Sequence, residues 1–112
     1  MTNIDPSKAI KGLKAALKTL ELWGCSDSQK EVILGGLTGG EVSSEQLVRI
    51  SYILNIHCCL KTIFKNPQNI YGFMSMKNNN SFFEGRTALN VIESGRVEDL
   101  ERVAKHLDGM TL

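Results

Sequence analysis

Chemistry in this chain would have to come from a few groups: Cys25, Cys58 and Cys59, His57 and His106, a set of lysines near the start, and a glycine cluster at 35–40. Cys58 and Cys59 are adjacent, and neighbours on a helix point about 100° apart, so they read as small core residues rather than a redox pair. His57 and His106 are far apart in sequence and no CxxC or HxxxH spacing accompanies them, so no metal site is expected. Gly35, Gly36, Gly39 and Gly40 fit neither GxGxxG nor GxxxxGK[ST], and read as a turn rather than a phosphate cradle. No Ser or Cys nucleophile has an obvious base and no carboxylate pair recurs, so neither an enzyme nor a cofactor site is expected. Binding chemistry is left. Lys8, Lys11, Lys14 and Lys18 form a stripe that can follow phosphates or an acidic protein, against the plainer reading of a solvated helix face.

The frame that must position these groups is small. A length of 112 residues suits one domain or a helical pair sharing a core. Thirteen Lys+Arg against twelve Asp+Glu leave a net charge of +1, which does not drive indiscriminate nucleic-acid binding. A 42% hydrophobic content with ten Gly and two Pro is that of a globular chain with a real core. No apolar run approaches the roughly 20 residues of a bilayer span, and MTNIDPSKAIKGLK lacks a signal-type apolar region. Three cysteines make no disulfide framework, so a reducing compartment, the cytoplasm, is expected.

Periodicity predicts about six helices and no strand, an all-α fold. The first runs from about Asp5, its cap, to Trp23, with Ile10, Leu13, Leu17 and Leu20 on one stripe beside Ala9 and Ala16 and the lysines opposite. Ser26 with Gln29 opens a second, short helix to about Leu34. Ser43 with Gln46 opens a third, Glu45 to Phe64, apolar on nearly every side and therefore central. Asn66-Pro67 starts a fourth that carries Ile70, Phe73 and Met74 inward. The polar stretch Met76 to Gly85 is a loop. A fifth helix, about Thr87 to Glu93, stops at Ser94-Gly95, and a sixth, Val97 to Leu107, has Glu98 and Asp99 in its first turn and Lys105 and His106 in its last. Phe82 and Phe83 cannot both be left exposed cheaply, so at least one packs inward and anchors the loop.

The segments WGCS, EQLVRISYILNIHCCLKTIFKNPQNIYGFM and NNNSFFEGRTALNVIESGRVEDLERVAKHL together resemble the MbcA/ParS/Xre-type antitoxins. The resemblance covers about Leu47 to Leu107. It rests on Arg49, the Leu60-to-Phe64 segment, Asn80, Phe83, Gly85, Arg86, Ala88, Leu89, Gly95 and Leu100 arriving in order, with Phe73 where the family has a tryptophan or other aromatic. It implies the antitoxin half of a type II toxin–antitoxin system whose partner is a RES-domain toxin that attacks NAD or transfers its ADP-ribosyl group. It also implies a helix-turn-helix-like region at 1–58 and a toxin-binding domain at 59–112.

Carried over by resemblance, the toxin-binding candidates are Asn78, Asn80, Phe83, Gly85 and Arg86, with the tail residues Asp108, Met110, Thr111 and Leu112. An Arg beside a polar loop can grip a partner's carboxylate bidentately, and a short flexible tail can fill a cleft. For Phe83, Gly85 and Leu89 the plainer reading, that they hold the loop–helix corner together, is preferred. The family also binds its own promoter, so the alternative function is a small transcriptional regulator. Here the expected reading helix is replaced by LGGLTGGEVSS, which has no Lys or Arg, while Glu41 and Glu45 repel phosphate. Lys8, Lys11, Lys14 and Lys18 remain as DNA-backbone contacts that would position without specifying. A homodimer is a further expected partner arrangement.

Overall fold

In the computed structural model, residues 6–36, 41–78 and 82–111 are described. Six α-helices follow one another: α1 (Pro6–Leu22), α2 (Asp27–Leu34), α3 (Ser44–Ile63), α4 (Pro67–Gly72), α5 (Ala88–Ile92) and α6 (Val97–Met110). A single 3-10 turn, Phe73–Ser75, continues α4. The fold is all-α. Among the described residues the only β-type pairing is an isolated antiparallel bridge between Lys77 and Thr87.

Local chemistry sets the helix starts. Ser26, Ser43 and Thr87 each accept a hydrogen bond from the backbone N–H three residues on. Gln29, Gln46 and Asn90 answer with their side chains on the cap N–H. Asn66 caps α4 from its side chain, with Pro67 in the first turn. The glycine cluster begins as a helix stop: Gly35 sits at φ 78° and its N–H bonds back to α2. The Asp5 cap and residues Gly39 and Gly40 lie outside the described residues.

α3 is the axis of the bundle, packed chiefly by α6 and α1. Its fully buried Ile53, Ile56 and Leu60 meet Ala16, Leu20 and Trp23 from the first helical segment and Leu100, Val103 and Leu107 from α6 in one core. The division expected at residue 58 falls inside this unbroken helix.

Three expectations change. Ile10 is 46% exposed, because the buried line of α1 runs through Ala16, Leu20 and Trp23, and Ile10 lies about 120° round from it. Cys58 is exposed while Cys59 is buried, since Cys58 projects opposite the Ile53–Ile56–Leu60 line. α6 does not end at Leu107 but runs to Met110, carrying Gly109 within it at a cost of about 1 kcal/mol. Lys105 and His106 are therefore not in its last turn, and residues 108–110 are helix rather than a loose tail. No described helix is long and apolar enough to cross a membrane, and all three cysteines are free.

Candidate interaction site

The segment between the 3-10 turn and α5 folds back on itself into a tied corner. Lys77 bridges Thr87, the Asn78 N–H donates to the Arg86 carbonyl at 3.1 Å, and the Gly85 N–H donates to the Asn78 carbonyl at 2.7 Å. The Arg86 N–H closes the turn on the Phe83 carbonyl at 3.0 Å. Two consecutive residues adopt left-handed backbone, Glu84 at φ 53° and Gly85 at φ 85°. Glycine suits the second because a side chain there is strained, whereas Glu84 pays about 1 kcal/mol for the same bend.

Two aromatics fasten this corner to the bundle. Phe83 is fully buried, edge-on to Phe73 at 6.3 Å and to His106 at 5.3 Å. It supports the corner from inside and has no surface for a partner, as does the buried Leu89. Half-buried Phe82 stacks on His106, with centroids 4.3 Å apart, and the Arg102 guanidinium carbon lies 5.4 Å from its centroid. Arg102 and His106 are one turn apart on α6, so one helix face receives the corner. Sequence reading expects one Phe inside but misses both α6 partners, because contacts across twenty or more residues leave no periodic trace.

Arg86 stands on the outside of the corner. It is exposed, and its Nε donates to the same Phe83 carbonyl at 3.2 Å. The guanidinium is thereby held through Nε, and among the described residues Arg86 forms no ion pair. Half-buried Asn78 contributes its backbone to the turn. Asn80 and Leu112 lie outside the described residues.

The remaining tail candidates separate. Met110, 46% exposed, lies one turn beyond His106 on the same side of α6. Asp108 and Thr111 face the other way, lining a groove of about 370 Å³ between α3 and α6 with Tyr52, Asn55, Cys58 and Thr62. The Asp108 carbonyl accepts from the Thr111 N–H and hydroxyl, at 3.1 and 2.7 Å, which finishes the helix. In the same groove the Tyr52 hydroxyl donates to Glu101 at 2.8 Å, a bond that raises its pKa.

Where α2 meets α3, the geometry is closed rather than receptive. Arg49 is only 6% exposed. It gives Nε and Nη2 to Glu45 at 3.1 and 2.9 Å, and Nη1 to the Ile33 carbonyl at 3.2 Å. Gly35 lies under the guanidinium, and a Cβ there would come within 2.8 Å of Nε. From Glu41 to Asn55 no exposed Lys or Arg is presented. Lys8, Lys11, Lys14 and Lys18 are all exposed on α1, and none forms an ion pair among the described residues.

The two buried thiols, Cys25 and Cys59, are not poised for chemistry. Burial and Glu93 push Cys25 up to about 11, and burial also raises Cys59, so both remain protonated near neutrality. Burial, with Lys61 nearby, lowers the His57 pKa. Among the described residues no three His, Cys, Asp or Glu side chains gather as a metal site.

The class defined by these features is a small all-α bundle that displays an arginine on a braced corner. The chain is similar to the uncharacterized protein y4oB of Sinorhizobium fredii, 26% identical over 114 residues spanning 93% of this chain and 87% of the other. No family model matches it, and no solved structure matches it.

Proposed function

We propose that the chain is a non-enzymatic antitoxin-like protein that binds a cognate RES-type toxin and covers its active site. The observation that carries this reading is Arg86: an exposed guanidinium, clamped through Nε on a corner braced by buried Phe83, within the segment that resembles the antitoxins. An exposed arginine already held through Nε suits bidentate capture of a carboxylate at reduced ordering cost. Met110, on the α6 face that receives the corner, adds an exposed flexible apolar side chain of the kind favoured at interfaces. Promoter binding has less support, because α3 offers no basic side chain to a groove in its first three turns.

The test is co-expression with the product of the adjacent gene, scoring growth rescue and co-purification. The wild-type chain rescues and co-purifies, and Arg86→Glu weakens the complex about thirtyfold or more while the fold is kept. If the wild type neither rescues growth nor co-purifies, the antitoxin reading falls.

A further inference from the structure

The lysines of α1 lie on a helix that the toxin-binding reading leaves unused. Lys8, Lys11, Lys14 and Lys18 are spaced by three, three and four residues, which gathers them within about 120° of the helix circumference over a rise of about 15 Å. Beside this ladder, at i, i+3, i+7 spacing, run Ile10, 46% exposed, and Leu13 and Leu17, which pack partly against the core and leave their outer edges open. The strip ends in a groove of about 530 Å³ between α1 and α2, where Leu17 is rimmed by Lys14, Lys18, Lys30, Glu21 and Asp27. Among the described residues, Lys30 is the one of these ammonium groups that forms an ion pair, with Asp27 at 3.7 Å.

We propose that this face of α1, with the α1/α2 groove, docks an acidic amphipathic helix of a partner protein. Side chains three and four apart on such a helix repeat every 5–6 Å, roughly the pitch of the lysine ladder, and its apolar stripe matches Ile10, Leu13 and Leu17. A nucleic-acid backbone would match the charges but leave the apolar strip unused. A lipid surface would need a broad apolar face, and that of α1 is already spent on the core through Ala16 and Leu20. An acidic helix uses both charge and strip.

The probe is a fluorescein-labelled peptide of about three heptads with Leu at the seam positions and Glu beside them. Its controls are the same peptide with Lys for Glu, a short DNA duplex and phosphatidylserine vesicles. The Glu peptide binds the full chain at low ionic strength, more weakly as salt rises, and the Lys peptide does not bind. Lys14→Glu/Lys18→Glu weakens binding about tenfold, and Ile10→Ser, at an exposed position, weakens it about threefold while circular dichroism is unchanged. Failure of the Glu peptide to bind overturns the proposal. So does duplex or vesicle binding that depends on the lysines but not on Ile10, or peptide binding unchanged in both variants. Toxin co-purification is read separately and does not bear on this outcome.

Discussion

The His106 imidazole lies flat against the Phe82 ring, 4.3 Å between centroids and 11° from parallel. This joins α6 to the corner that holds Arg86, and makes the shape of the corner depend on a side chain more than twenty residues away. Removing the contact should loosen the corner before it unfolds the bundle. Phe82→Ala is expected to cost about 1–2 kcal/mol, against about 3–5 for the fully buried Phe83→Ala. In Phe82→Ala the Gly85 and Arg86 amides, bonded within the turn, should lose hydrogen-exchange protection while those of α3 keep theirs. Equal loss across both would show that the corner has no stability of its own.

A second prediction concerns the α2–α3 junction. Arg49→Ala strands the Ile33 carbonyl and leaves a buried gap, and should cost about 2–4 kcal/mol in urea unfolding. Glu45 is 65% exposed, so Glu45→Ala should cost less than about 1 kcal/mol. Gly35→Ala meets both the guanidinium and a positive φ, and should destabilise by about 1–2 kcal/mol. An Arg49→Ala variant as stable as the parent would mean that the buried fork does not hold α2.

The pH dependence has a definite sign at each end. His57 has a lowered pKa when folded, so the unfolded chain takes up the proton first as pH falls below the ordinary value of 6.5, and stability drops. His57→Gln should flatten the melting temperature profile between about pH 5 and 7. Cys25 is raised from 9.0 to about 11, so the unfolded chain loses its proton first. The stabilisation is whole below pH 9 and disappears as pH rises towards 11. Cys25→Ala should remove that alkaline loss, and an unaltered slope in the variant would assign it to another group.

Helix starts were legible because their signals are local. Ser26 with Gln29 and Ser43 with Gln46 carry both halves of a capping box within four residues, and the structure uses both. Helix extent was less legible: the basic pair Lys105–His106 suggests a last turn ending near Leu107, yet α6 continues to Met110. Burial of polar groups left no sequence signal. Arg49 is tolerated inside because Ile33, sixteen residues earlier, supplies a carbonyl, and Gln46 is held by the Gly36 carbonyl at 3.2 Å. Within the candidate site, residue type and loop composition say that at least one of Phe82 and Phe83 anchors the corner, and the structure places Phe83 there. The partnership of Phe82 with Arg102 and His106 depends on where α6 lies.

The last prediction separates support from recognition within one turn. Phe83 and Arg86 share a carbonyl, since both Arg86 nitrogens that stay home donate to the Phe83 oxygen, yet one side chain points into the core and the other outward. Arg86→Glu should leave the unfolding midpoint within about 0.5 kcal/mol of the parent and weaken co-purification with the proposed partner about thirtyfold or more. Arg86→Lys should keep the charge but lose the second nitrogen of the fork, giving intermediate binding. Phe83→Leu should do the reverse, lowering stability by about 1–2 kcal/mol while the variant, once folded, still binds. If Arg86→Glu binds as the parent does while Phe83→Leu, fully folded, does not, the recognition surface lies elsewhere on the corner and not at the guanidinium.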